Sequence, residues 1–299
     1  MTRSAIRRIA TMTRRLAIVG LAAAAVLSFS VVASGQQSRV PGAEYDSDFP
    51  DEQPEPAPRR DLSGIWEPAR GPGDAIQANG AKNFPDTGLP EHELPLTPAG
   101  LDALLQNKPA WGPRLVPSAL SNDPQPRCEP QGFPRIHLHN YRTAQIVQTP
   151  KQVLILYQFN RKWRNIWADG RANPEVDDFL EPRFWGYSVG RWQDEYTFVA
   201  ETVGMDERTW LDNVGRPHSW ETRVEERYVR RDLKHLEVTL TIDDPVYYSR
   251  PWVALDRLPL RLQPDDFDIR EMECSPSEFE RYTREFAEPA AGIEGTAPR

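Results

Sequence analysis

"TRVEERYVRRDLKHLEVTLTID", residues 222–243, alternates apolar and polar side chains twice over, with a short charged break at Asp232-Leu233-Lys234. Leu236, Val238, Leu240 and Ile242 share one parity and Glu237, Thr239 and Thr241 the other, the pattern of a strand with one dry and one wet face. The break reads as a hairpin turn, so the stretch is two antiparallel strands. The charges of both signs in "VEERYVRR" read as a solvated face with cross-strand ion pairs.

Working outward, the same grammar repeats. "QIVQT" and "QVLILYQF" flank Pro150-Lys151, "WRNIWA" ends in Asp169-Gly170, and "WGYSVGRW" turns at Gln193-Asp194 into "YTFVAETV". "WVALDRLPLRL" and "FDIREMEC" close the series, and Gly64-Ile65-Trp66 begins it. One helix interrupts the pattern near the N-terminal end: Thr97 caps it, Pro98 suits its first turn, Leu101, Leu104 and Leu105 share a face, and Pro109 stops it. Consecutive hairpins tend to close on themselves because closure removes unpaired edges. The expected fold class is therefore all-β, an antiparallel up-and-down barrel of lipocalin-like form over residues 61–274, with that short flanking helix. A two-sheet sandwich is the alternative.

The ends have other compositions. Residues 1–35 carry Arg3, Arg7, Arg8, Arg14 and Arg15 without an acid, then an apolar run from Leu16 to Ala33, the order of an export signal. An uncleaved membrane anchor is the alternative. Residues 36–60, "QQSRVPGAEYDSDFPDEQPEPAPRR", are acidic and Pro-rich and predict a disordered tether. Residues 275–299 predict a short helix and a disordered tail. Removing the signal takes the formal charge from −8 to −13, which sets nucleic acid and anionic lipid aside as partners. The chain's two cysteines, Cys128 and Cys274, suit one disulfide in a periplasmic or extracellular protein, with two buried thiols as the other reading.

"DLSGIW", "NDPQPRCEPQGFPR", "RNIWADGR", "GYSVGRW", "ERTWLDNVGRPHS" and "TIDDPVYYSRPW" together resemble a family of exported bacterial proteins of unassigned function, over most of residues 61–274. The Gly-x-Trp at 64–66 followed by a meander also resembles the lipocalin-type barrel. "RIHLHNYRT" departs from the more apolar stretch that the first resemblance implies. Neither resemblance carries a reaction, so neither assigns a catalytic residue.

Chemistry concentrates in three places. In "KWRNIWADGR", residues 162–171, Trp163, Asn165, Trp167 and Asp169 share one face; turned inward, with Arg171 near, they would wall a ligand cavity. "RIHLHN" read as a strand puts His137 and His139 on one face as ligand contacts, with no third ligand in view to make a metal site. "MDERTWLDNVGRPHSW" offers Asp206, Arg208, Trp210 and His218 on a loop, where an Asp-oriented His could act as a general base beside an Arg. Each also has a plain structural reading: core tryptophans and a turn, a solvent-exposed pair, a salt-bridged loop. Gly-rich phosphate loops, nucleophile elbows, Cys-x-x-Cys pairs and haem attachment motifs are missing, so no cofactor is expected.

The resulting expectation is an exported barrel holding a small hydrophobic or aromatic molecule in an internal cavity lined by Trp163, Asn165, Trp167, Arg171, Trp210, His137 and His139. The alternative is a cofactor-free acid–base enzyme, an isomerase, cyclase or lyase, working in that cavity with His218, Asp206, Asp169 and Arg208. A packed structural envelope protein is the third reading.

Overall fold

A computed structural model describes residues 40–71, 94–139, 141–177 and 180–293; the export-signal segment lies outside them. Among the described residues nine strands follow one another around a closed barrel. They are β1 (Gly64–Pro68), β2 (Ala144–Gln148), β3 (Gln152–Tyr157), β4 (Trp163–Trp167), β5 (Tyr187–Trp192), β6 (Thr197–Val203), β7 (Arg223–Arg230), β8 (His235–Asp243) and β9 (Trp252–Leu262). The hairpins at 150–151, 193–194 and 232–234 stand where the turn residues placed them.

The expected all-antiparallel order fails at one seam. Strands taken in chain order with strictly alternating directions leave the first and ninth running the same way, so a ring of nine must hold a parallel contact. It falls between β4 and β5, where Ile166 faces Ser188 and Trp167 faces Val189. β9 can then close antiparallel on β1, Trp66 opposite Leu262. Asp169-Gly170 therefore opens no hairpin. It begins a connection that must travel the barrel's length before β5 starts, as a parallel pair requires.

Two other expected strands are absent. "RIHLHN" forms a short helical turn, α2 (Arg135–Leu138), whose four residues are all buried. Away from a neighbouring strand its amides find acceptors locally, Ile136 N donating to Gly132 O and His139 N to Arg135 O. "FDIREMEC" is irregular apart from one bridge between Met272 and Phe159. The helix at the N-terminal side, α1 (Pro98–Gln106), is present with the Thr97 cap accepting from Gly100 N at 3.1 Å. It docks by Gly100, where a Cβ would meet Tyr247 O at 2.1 Å, and not by its leucines: Leu105 is 61% exposed. A second helical stretch runs from α3 (Pro276–Tyr282) through a π-helical turn to Ala290.

Strand alternation builds the core. Ile146, Ile155, Phe198, Val224, Tyr228, Leu236, Val238, Leu240, Ile242, Leu258 and Leu260 all point inward. Gly190 admits this packing because a Cβ there would lie 2.4 Å from the Phe198 ring. Cys128 and Cys274 are bonded, tying the segment before α2 to the segment before α3. A disulfide is the chemistry of an oxidising compartment. Among the described residues no helix is long and apolar enough to cross a membrane.

The acidic segment expected to be a free tether lies on the barrel from Val40 onward. Tyr45 is buried, Arg261 donates to Glu52 at 2.6 Å and to Asp46 at 3.3 Å, and Lys234 also bonds Glu52. Its acids are thus counter-charges for a basic edge of β8 and β9. His235 joins them, with Nε2 3.0 Å from Asp46 and Nδ1 2.9 Å from Asp232. Burial opposes its charge, but the two carboxylates outweigh that and raise its pKa above the ordinary 6.5. Its contribution to docking is then fully present below 6.5 and lost as pH rises through the raised value. The Glu52 carboxyl, lowered by its bonds from Lys234 and Arg261, contributes above 4.5 and fades as pH falls through its own lowered value. Limited proteolysis within residues 49–60 should accordingly be slowest near pH ~5.5 and faster at pH ~8.5. His235→Gln should flatten the alkaline limb; an unchanged pH profile in that variant would refute the clasp.

Candidate functional site

Inward parity puts charge inside the barrel. Arg164 on β4 and Glu226 on β7 are 2% and 0% exposed and form a two-pronged ion pair, Nη1 to Oε1 at 3.0 Å and Nη2 to Oε2 at 2.5 Å. The guanidinium also donates to Ser188 and Thr202, and lies 3.7 Å from the Phe133 ring centroid. Tyr228 donates to Glu226 at 2.7 Å, and the His137 Nδ1 stands 3.5 Å from the same carboxylate. His137 Nε2 and the Tyr157 hydroxyl are 2.9 Å apart. Burial disfavours the Glu226 anion, but Arg164 outweighs it and holds the carboxyl below its ordinary value. Burial pulls His137 down to about 4, so the imidazole is neutral. Here the α2 turn enters the lumen and the pair neutralises itself, which makes a rigid polar centre.

A cleft of about 390 Å³ opens where α1 meets the Met205–His218 loop. Its walls include Ala103, Gln106, Asn107, Asn122, Arg208, Thr209, Trp210, His218 and Tyr247. A smaller space of about 210 Å³, against Phe184, Glu129 and Pro130, shares Pro124, Arg208 and Thr209 with it. Asp244 assembles the wall: its carboxylate accepts from Ser219 N and Oγ, Thr222 Oγ1, Val246 N and Tyr247 N. That fixes His218 and Tyr247 from two different loops. Arg114 clamps the end of α1 to the same loop through Leu104 O, Asn107 O and Val214 O, while Asn107 donates to Gly215 O.

At the cleft floor the His218 Nε2 and the Thr209 hydroxyl are 2.8 Å apart, both residues buried. The Ser219 carbonyl stands 3.3 Å from Nδ1, and the Thr209 hydroxyl at Nε2 also donates to the Asp206 carbonyl at 3.1 Å, so both ring nitrogens of His218 face protein hydrogen-bonding groups. Burial lowers the His218 pKa and keeps the ring neutral. Arg208 binds the Asp206 carboxylate through Nε and Nη2, which lowers the acid's pKa and raises its own. Its side chain is 72% exposed and presents the remaining guanidinium edge at the cleft.

The structure thus brings His218, Asp206, Arg208 and Trp210 to one end of the barrel, but not in the expected dyad. Asp206 is turned to Arg208, and a backbone carbonyl, not a carboxylate, faces the second nitrogen of His218. Asp169 lies elsewhere, with Arg171 donating to it at 2.9 and 2.6 Å. The expected inward face of residues 162–171 points outward: Trp163 is 63% exposed, Asn165 and Trp167 are half-buried, and Arg164 and Ile166 hold the interior. His137 is inside the lumen, while His139 is half-buried and lowered to about 4 by burial and by the Arg135 charge. Arg135 itself forms a buried pair with Asp123 and lies 5.7 Å from the Trp210 ring. Among the described residues no cluster of three or more metal-ligating side chains is found.

No protein-family model matches the chain, and no curated protein and no solved structure is found to be similar to it. Function must be read from the site. Arg164, Glu226, Tyr157 and Thr209 escaped the sequence reading, although one signal was available. Glu226 stands between Val224 and Tyr228 on the dry parity of its strand, and a charge at such a position is costly unless a partner meets it.

Proposed function

We propose that this chain is an exported barrel that binds a small polar molecule, with one flat face, in the cleft between α1 and the Met205–His218 loop. The observation that carries it is the Thr209–His218 pair at the floor of that cleft. A neutral ring and a hydroxyl held to each other and to the Ser219 and Asp206 carbonyls give the cleft a fixed polar floor against which a ligand's donors and acceptors can be matched. The amides of Gln106, Asn107 and Asn122 and the Arg208 edge add orientation, and Trp210 and Tyr247 supply apolar surface. Export is supported by the Arg-led apolar N-terminal segment and by the disulfide. The guest moves from the lumen, where a charged pair sits, to the barrel's mouth.

Native mass spectrometry of the protein purified from its own cells, followed by calorimetry with any molecule released, tests this. A retained small molecule is expected, bound at least about tenfold more weakly by Ala103→Trp, which fills the cleft, and by Arg208→Ala. Absence of any retained species, with no thermal shift from a broad metabolite panel, would remove the proposal.

A neutral His218 ring beside a hydroxyl also supports acid–base catalysis in the same cleft. In that reading His218→Gln keeps binding of the retained molecule but stops its turnover. If the wild type returns that molecule unchanged after long incubation, the site is a binding site.

A further inference from the structure

The outward side chains of residues 162–171 line neither the lumen nor the mouth cleft, and they form a platform of their own. Trp163 lies across the pair from Leu156, itself 38% exposed, and shares its face of β4 with Asn165 and Trp167. The Arg171 guanidinium lies 3.6 Å from the centroid of the Trp167 ring. Asp169 accepts from its Nε and Nη2, and the Tyr187 hydroxyl accepts from Nη1 at 3.0 Å. All three guanidinium nitrogens are therefore fixed, and the Trp167 stack is rigid. Arg161 and Lys162 add exposed donors beside Trp163.

We propose that this outer face of β3 and β4 binds a β-linked glycan chain. Trp163 stacks under one sugar ring, and the Trp167–Arg171–Asp169 unit takes the hydroxyls of another. A pyranose presents a flat C–H face and a rim of hydroxyls. A fixed indole matches the first, and a planar carboxylate–guanidinium unit matches the second. Four residues along a strand set the two units ~13 Å apart, a span for a short run of extended sugars. Among β-linked chains the β-1,4-linked ones are flat ribbons that can follow a sheet. The exposed Arg161 and Lys162 donors and the outer lone pairs of Asp169 favour a hydroxyl-rich partner over a purely apolar one, and the chain's net negative charge disfavours a polyanion.

Co-sedimentation with insoluble cellulose, chitin and peptidoglycan, together with calorimetric titration of cellohexaose and chitohexaose, tests this. Retention on at least one polymer is expected. Trp163→Ala, at a position 63% exposed, should bind about tenfold more weakly while its circular dichroism and melting stay close to those of the wild type. Trp163→Phe should fall between, and the cleft-filling Ala103→Trp should bind as the wild type does, which separates this face from the mouth cleft. The proposal is overturned if the wild type is retained by none of the polymers, or if Trp163→Ala binds as well as the wild type. It is also overturned if ultracentrifugation shows self-association that Trp163→Ala abolishes without any glycan binding, since the occupant is then a second copy.

Discussion

Glu226→Ala is expected to destabilise the fold by about 3–5 kcal/mol, because it strips a buried guanidinium of its counter-charge while leaving the guanidinium in place. Domains of this kind hold only about 5–15 kcal/mol in all. At a few degrees per kcal/mol, the melting point should drop by roughly 6–20 °C. Arg164→Ala should cost a similar amount by orphaning the Glu226 carboxylate. The informative variant is the pair Arg164→Met with Glu226→Leu. Both charges leave together, their desolvation penalty leaves with them, and most of the lost stability should return. Equilibrium urea unfolding of the wild type, Arg164→Met, Glu226→Leu and the pair gives the coupling directly; single variants no worse than the double would mean the two groups do not depend on each other. The same cycle predicts a pH effect. Since Arg164 holds Glu226 below its ordinary value, that stabilisation is present above pH 4.5 and disappears as pH falls through the lowered folded value. Acid unfolding should therefore be shallower in the double variant.

Replacing Cys128 and Cys274 by serine releases a loop spanning 146 residues of sequence separation. The chain-entropy model puts the loss at about 5 kcal/mol, an upper figure. Geometry predicts where the loosening shows first. Cys274 N donates to Asn160 Oδ1 at 2.7 Å, and Asn160 N donates to Met272 O at 2.6 Å, so the bond pins a segment otherwise held to the barrel by few contacts. Hydrogen exchange in the double serine variant should rise in residues 272–290 and 124–130, while β6, β7 and β8 stay protected. Because Pro124, Glu129 and Pro130 wall the smaller space at the mouth, any ligand held there should be released faster. A uniform rise across all strands would mean the bond supports the whole barrel and not this corner.

Most strand positions, three of the hairpin turns, the capped helix and the pairing of the two cysteines were legible in the chain because each rests on local signals: two-residue alternation, turn chemistry, capping and cysteine count. Composition misled at the acidic segment, where residues 40–60 look too polar to order. Asp46 and Glu52 find Arg261, Lys234 and His235, which lie some 180 to 215 positions away. Arg208, Trp210 and His218 line the mouth cleft, with Asp206 bonded to Arg208 beside it. Thr209, Asn107 and Asn122 gave no warning, since nothing local marks a polar side chain that only a distant loop makes part of a cleft.

Residues 162–171 show where local reading ends. Alternation tells which side chains share a face: Trp163 with Asn165 and Trp167, Arg164 with Ile166. It cannot tell which face is inside, and hydrophobicity favoured the tryptophans. Tertiary structure reversed that choice because Glu226, 62 positions later, arrives opposite Arg164 with Ser188 and Thr202 to complete its hydrogen bonds. The parallel seam has a similar origin. Its place depends on how nine strands close into one ring, a property of the whole circuit that no single stretch of chain contains.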